Sequence, residues 1–178
     1  IEKIAQLFTK EFNLSVSCLK LGNIYGARER WLEADLGAPY NYQKVIPSFI
    51  MDTLNGKPIT IYGDGKQKSE YIYVKDVSES FFRLVDQEIN TGIDVVHVGS
   101  GKNSSVIDII EALEKAWGKK LDKNFVNMRA GEHKVEISLD PKPLKKYLDY
   151  ELKWDLETGI KETIPYYVEQ HNRITGKK

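Results

Sequence analysis

Ile61-Tyr62-Gly63-Asp64-Gly65-Lys66-Gln67-Lys68-Ser69-Glu70-Tyr71-Ile72-Tyr73-Val74-Lys75-Asp76-Val77 is the stretch whose reading decides the fold. It begins at the end of Ile59-Thr60-Ile61-Tyr62, a β-branched and aromatic run of the kind that suits a half-buried pleated strand. Gly63-Asp64-Gly65 supplies a turn, because glycine takes positive φ at low cost. Tyr71-Ile72-Tyr73-Val74 has the composition of a second short strand. Asp76, with Glu79 three residues later, has the form of a capping box at a helix start. Val77, Phe81, Leu84 and Val85 then recur at helical spacing. Strand, glycine turn, strand and capped helix gather a phenol, backbone N–H groups and a lysine, which suits a phosphorylated ligand that carries a ring.

Outward from this stretch, composition bounds the answer. The 178 residues carry 26 Lys+Arg against 26 Asp+Glu, so no basic surplus argues for nucleic acid. Hydrophobic residues make up 41% and charged residues 29%, the balance of a soluble globular protein large enough to bury a core. One cysteine excludes an internal disulfide, and with three dispersed histidines it forms no zinc-binding pattern. No apolar run approaches the roughly 20 residues of a membrane helix. A cytoplasmic location, without membrane or nucleic-acid partners, is the default expectation. The chain starts at Ile1, without methionine and already within a helical pattern, as expected of a piece of a longer protein.

In chain order, Ile1, Ile4, Ala5, Phe8 and Phe12 predict an amphipathic helix ended by Asn13. Ser15 to Leu21 reads as a strand in which Cys18 is a small buried hydrophobe. Residues 29 to 44 are polar and aromatic and broken by Gly37, Pro39 and Asn41; they form either a specificity loop or an inert connection. Val45-Ile46-Pro47 opens a helix with Pro47 near its first position, and Gly56 closes it. Val95 to Val98 is a strand with His97 packed or half-exposed. It runs into Gly99-Ser100-Gly101-Lys102-Asn103-Ser104 and then a helix, Val106 to Trp117, capped by Ser105 and Asp108. That turn lacks the third glycine of a dinucleotide fingerprint. Lys119 to Lys123 reads as a solvated link. Asp140-Pro141 starts a short helix carrying Leu144 and Leu148. A last helix places Leu156, Ile160, Ile164 and Tyr167 on one face, and Pro165 is expected to kink or split it.

The central stretch resembles the GDG-x-Q-x-x-[DE]-[FY]-x-Y-V-x-D-V motif of the extended short-chain dehydrogenase/reductase family, the NAD-dependent nucleotide-sugar epimerases and dehydratases. Four further motifs follow in family order. Lys20 to Arg28 resembles R-x-x-N-V-Y-G-P-R, with Lys20 for the first arginine and Ala27 for proline. Val45 to Ile50 matches V-I-P-x-F-I, Arg129-Ala130-Gly131-Glu132 matches R-x-G-[DE], and Trp154 onward resembles the closing segment. The 97 to 101 run is similar to the family's N-I-G-S-G turn.

The resemblance implies an α/β chain: the C-terminal, substrate-binding part of an extended fold of this family, with a few elements of an incomplete Rossmann domain. Residues 1–28 would end the dinucleotide-binding domain. Residues 29–178 would be mainly the substrate-binding domain, with 71–86 packing back on the Rossmann sheet. By the same resemblance Asn23 reaches the diphosphate-sugar, Val45 and Ile46 present backbone to the nucleobase, Arg129 clamps the diphosphate and Glu132 meets the ribose hydroxyls. Tyr62 and Lys68 join this grip, while Leu21 and Gly22 line the nicotinamide of NAD or NADP. Ser69 is the chief departure, since most relatives carry arginine there. The expected ligand is a nucleotide diphosphate sugar, and the expected parent a homodimer that includes an N-terminal half. In that family a tyrosine of a Tyr-x-x-x-Lys pair acts as base while NAD takes a hydride. The family carries that pair near the beginning of the helix before the first strand; this chain has no such pair in its first helix and no NAD loop, so the chain alone is expected to be inactive and to bind no cofactor. Two other readings are a non-catalytic binding or regulatory protein on the same fold, and a phosphate-binding module using Gly99 to Ser104.

Overall fold

The computed structural model describes residues 2–29, 44–86, 93–129, 136 and 138–176. Helix α1 (Glu2–Phe12) ends at Asn13, whose φ of 51° is left-handed, and strands β1 (Val16–Leu21) and β2 (Asn23–Tyr25) follow. Next come α2 (Val45–Leu54), β3 (Ile59–Tyr62), β4 (Lys68–Tyr73), α3 (Val74–Val85) and β5 (Ile93–Val98). The chain closes with β6 (Asn103–Ser105), α4 (Val106–Trp117), β7 (Lys123–Val126), α5 (Lys142–Leu148) and α6 (Leu156–Thr175).

Among the described residues the strands form three small sheets. β1 pairs with β5 in parallel from Val16 opposite Ile93 to Leu21 opposite Val98. β2 pairs in parallel with β4, whose other edge meets β6 in antiparallel fashion, and β3 pairs in parallel with β7. Parallel pairs need crossovers, and helices supply them, which is the α/β architecture expected from the sequence.

Two apolar clusters hold these layers. One joins Tyr25, Tyr73 and β3 to the buried faces of α2, α4 and α6. The other joins Ile72 and Val77 to Val96 and Val98 of β5, and to Leu144, Leu148 and Tyr150. β4 serves both, because its successive side chains point to opposite faces. Ile109, Ile110 and Leu113 of α4 and Ile160 and Tyr167 of α6 are fully buried. The Ser105 and Asp108 capping box holds the start of α4 as expected.

Several local expectations give way to tertiary context. Val74 belongs to α3, and Asp76 lies in its first turn without capping it. The Asp76 carboxylate is fully buried and accepts from the Tyr150 hydroxyl (2.6 Å) and from the N–H groups of Lys153 (2.8 Å) and Trp154 (3.2 Å). Glu79 pairs instead with Arg83 at 2.8 Å, one turn further on. Phe81 and Val85 remain exposed, at 48% and 80%. Pro47 is the third helical residue rather than the first, still within the turn whose N–H groups lack intrahelical acceptors. In α5 the cap is Pro141, one residue later than expected.

Pro165 does not split α6, which runs unbroken for 20 residues. Pro165 and Lys161 both face solvent, so the carbonyl deprived of its partner can bond to water. An interior proline costs about 3 kcal/mol. Burying Ile160, Ile164 and Tyr167 on the opposite face returns about 1.5–3 kcal/mol per large side chain, which outweighs it.

The lysine-rich link is pinned rather than merely solvated. Lys120 and Lys123 reach the buried Glu114 carboxylate at 2.7 and 2.6 Å, and the Leu121 N–H donates to it at 3.1 Å.

Candidate functional site

The β3–β4 turn builds one wall of the site. Gly63 and Gly65 have φ of 68° and 69°, where a side chain would be strained. The Gly65 carbonyl accepts from the Ile107 N–H (3.2 Å), which docks the turn on α4. The Asp64 carboxylate accepts from the Lys66 N–H, and the Gln67 side-chain amide donates to the Tyr62 carbonyl. These bonds fix the turn internally.

Beside it lies a cleft of about 340 Å³, lined by Val45, Ser48, Phe49 and Asp52 of α2, by Thr60 to Tyr62 of β3, and by Gln67, Ser69, Tyr71, Val106 and Arg129. The Arg129 guanidinium stacks over the Tyr62 ring, 3.9 Å from its centroid. Such stacking holds the planar fork in place for an anionic partner. A second cleft of about 170 Å³ is lined by Asn23, Ile24, Tyr25, Glu29, Lys44, Val45, Ile46, Ser69 and Tyr71. Val45, Ser69 and Tyr71 line both, so the two clefts adjoin and together make one groove-like site.

Six of the sequence-derived site residues therefore meet here: Asn23, Val45, Ile46, Tyr62, Ser69 and Arg129. Lys68 does not join them. It opens β4 beside Ser69 with its side chain on the other face, 3.7 Å from Glu136. Leu21 packs against the β5 cluster and Gly22 donates its N–H to the Val98 carbonyl at 3.3 Å; neither lines the groove. Glu132 and the interior of the 29–44 segment lie outside the described residues.

Sequence reasoning passed over Glu29, Gln67 and Tyr71. Glu29 Oε2 and Gln67 Oε1 are buried without a hydrogen-bond partner among the described residues. Burial pushes the Glu29 carboxyl up to about 7, partly offset by Lys44. Burial likewise pushes the Tyr71 phenol up to about 12, with Ser69 opposing and Glu29 reinforcing the rise. Gln67 and Tyr71 occupy named places in the quoted motif, a signal available in the sequence. Glu29 had none, because a carboxylate in a polar loop is ordinarily a surface group.

The Gly99–Ser104 turn has its anion built in. The N–H and hydroxyl of Ser100 and the N–H groups of Gly101 (2.9 Å) and Leu139 (2.6 Å) all donate to the Glu70 carboxylate. Glu70 is 2% exposed, so this cradle is a fold contact, and the reading of the turn as a phosphate-binding module loses its donors. Among the described residues no group of His, Cys, Asp and Glu could hold a metal, and no helix is long and apolar enough to cross a membrane.

The groove, the parallel strand pairs and the five motifs define one class of protein. The sequence profile of the NAD dependent epimerase/dehydratase family matches residues 1–99, and the chain belongs to that family. A UDP-glucuronate 4-epimerase of Thermodesulfobacterium geofontis is 28% identical over 178 residues, covering 99% of this chain and 50% of the relative. A dTDP-glucose 4,6-dehydratase of Xanthomonas campestris is 26% identical over 186 residues, covering 98% of this chain and 49% of the relative. The crystal structure of UDP-glucuronic acid 4-epimerase from Bacillus cereus, in complex with UDP-glucuronic acid and NAD, superposes with a TM-score of 0.79. It is 27% identical, over 95% of this chain and 50% of that one. The chain thus spans about half the length of these relatives.

Proposed function

We propose that this chain supplies the nucleotide-sugar grip of an NAD(P)-dependent sugar-nucleotide epimerase or 4,6-dehydratase. In this reading residues 29–178 are mainly the substrate domain, residues 1–28 end the dinucleotide-binding domain, and the parent is a homodimer. The observation that carries the reading is the pair of adjoining clefts lined by Asn23, Val45, Ile46, Tyr62, Ser69 and Arg129. Arg129, fixed by Tyr62, meets the diphosphate, since a planar guanidinium matches phosphate oxygens in a fork. The unpartnered Gln67 Oε1 accepts from a ligand donor in the same cleft. The backbone at Val45 and Ile46 faces the nucleobase and Asn23 the sugar, and the R-x-G-[DE] match assigns Glu132 the role of ribose acceptor. Ser69 contributes a neutral hydroxyl, and Lys68 points away, so the diphosphate charge falls on Arg129.

Bound NAD supplies hydride acceptance in such an enzyme. The glycine turn after β5 does not fit the cofactor's phosphates, because Glu70 fills it. The cofactor's cradle and the Tyr-x-x-x-Lys pair therefore belong to another part of the parent, and this chain alone neither turns over substrate nor binds NAD. Leu21 and Gly22 face the nicotinamide only in the complete protein.

Calorimetric titration of the full-length protein with UDP-glucose and dTDP-glucose tests the grip. Arg129→Ala is expected to cost about 2–5 kcal/mol of binding, the range for stripping one partner from a desolvated charge pair. Lys68→Ala is expected to cost less than about 1 kcal/mol, as for an exposed charge. Unchanged affinity in Arg129→Ala, or a larger loss in Lys68→Ala, contradicts the reading.

A further inference from the structure

We propose that Glu29 recognises the sugar, accepting a hydrogen bond from a hexose hydroxyl in the smaller cleft and disfavouring hexuronates there. The inference rests on the nucleotide-sugar reading above. Three observations carry it.

The first is position. Arg129 lines the larger cleft, whereas Asn23 and Glu29 line the smaller one that adjoins it. Asn23 directly follows Gly22 at the C-terminal end of β1, the strand end at which ligands of open α/β sheets sit. With the diphosphate at Arg129, the sugar falls in the smaller cleft with Glu29.

The second is an unmet acceptor. Glu29 Oε2 is buried and has no hydrogen-bond partner among the described residues. An acceptor left so costs about 1–3 kcal/mol, which a ligand O–H would recover. Beside Glu29 the cleft is lined by the polar Asn23, Lys44, Ser69 and Tyr71 and by Ile24, Tyr25, Val45 and Ile46, and its hydrogen-bonding groups suit a polyol.

The third is preorganisation. The Tyr167 hydroxyl of α6 donates to the Glu29 carbonyl at 2.8 Å and to the Gly26 carbonyl at 3.2 Å, while Arg28 turns the chain with a φ of 70°. The backbone beneath Glu29 is thereby tied to a buried helix face.

Burial places proton uptake by Glu29 near pH 7. Lys44 favours its charged form, and the Glu29 charge in turn raises the phenols of Tyr71 and Tyr167 beside it. At pH 8.5 Glu29 is ionised, and a hexuronate carboxylate set against it meets like charge in a half-buried site.

Calorimetric titration of the full-length protein at pH 8.5 with UDP, UDP-glucose and UDP-glucuronate, or the matching dTDP compounds, tests this. UDP-glucose is expected to bind about tenfold more tightly than UDP-glucuronate. Glu29→Gln should leave UDP affinity unchanged and shrink that ratio to less than about threefold. Glu29→Ala should weaken UDP-glucose about tenfold with UDP unaffected. Equal binding of the two sugar nucleotides by the wild-type protein, or an unchanged ratio in Glu29→Gln, overturns the inference. So does an equal loss of UDP and UDP-glucose in Glu29→Ala. Failure of the wild-type protein to bind UDP, dTDP or either sugar nucleotide overturns the nucleotide-sugar reading itself. Should Glu29→Ala not fold, the ratio in the isosteric Glu29→Gln protein decides alone.

Discussion

Gly159 shows how one residue can oppose its own propensity. It sits inside α6, where alanine is ordinarily better by about 1 kcal/mol. Here a β-carbon would overlap the Tyr25 hydroxyl, which donates to the Asp155 carbonyl at 3.1 Å and ties β2 to the start of α6. Tyr25 is 2% exposed, and its phenol is pushed well above the usual range by burial first. Overpacking of about 1–3 kcal/mol should therefore win. Gly159→Ala is expected to lower stability by about 1–2 kcal/mol in urea denaturation, with partial recovery when Tyr25→Phe is added. A raised midpoint in the single variant would contradict this. Asp76 makes the same point about environment. Its spacing from Glu79 reads as a cap, yet only folding brings Tyr150 and Trp154 against it.

At the scale of elements, Glu114 pins the end of α4 to the link that carries the chain into β7. Its side chain is 5% exposed, and two lysines and the Leu121 N–H meet its carboxylate. Hydrogen bonds from Lys120 and then Lys123 hold its pKa down at about 2, against 4.5 for a free glutamate. A depressed carboxylate contributes its full stabilisation above the unfolded value and loses it as pH falls through the folded one. The window is therefore from pH 4.5 down to about 2. Glu114→Gln is expected to lower stability at neutral pH and to flatten the decline of stability across that window, measured by denaturant melts at successive pH values. An acid limb identical to that of the wild-type chain would remove Glu114 from this role. The β7 partner of β3 should also become easier to open, visible as faster amide exchange at Asn124 and Val126.

For the molecule as a whole, the covered and uncovered surfaces divide sharply. α4 and α6 bury full apolar faces, whereas α1 buries none of its residues. Ile4, Leu7, Phe8 and Phe12 are exposed by 62%, 56%, 46% and 63%, and Phe82 on α3 by 65%. On α1 these exposed residues recur at helical spacing and so share one apolar face, which water covers poorly. The chain by itself is expected to bind the dye ANS and to self-associate in sedimentation velocity as concentration rises. Leu7→Lys with Phe12→Lys should reduce both effects while leaving the groove's affinity for UDP-glucose unchanged. A monodisperse, dye-silent wild-type chain would show that this face is not the source.

Although β2, β6 and β7 were not legible in it, the sequence by itself determined the helices, strands β1, β3, β4 and β5, the α4 capping box and six residues of the groove. These are local matters: period, turn chemistry and short motifs whose residues lie close along the chain. Only the tertiary structure decided that Asp76 is a buried tether and that Glu70 fills the Gly99–Gly101 turn. It also decided that Lys68 turns away from Ser69's face, that Pro165 rides within an unbroken helix, and that Glu29 enters the site. Four of these depend on a partner far away in sequence: Tyr150 for Asp76, Leu139 for Glu70, Glu136 for Lys68 and Tyr167 for Glu29. Local patterning specifies what a segment can form, but the burial that sets a polar group's cost and partner exists only once distant segments have packed.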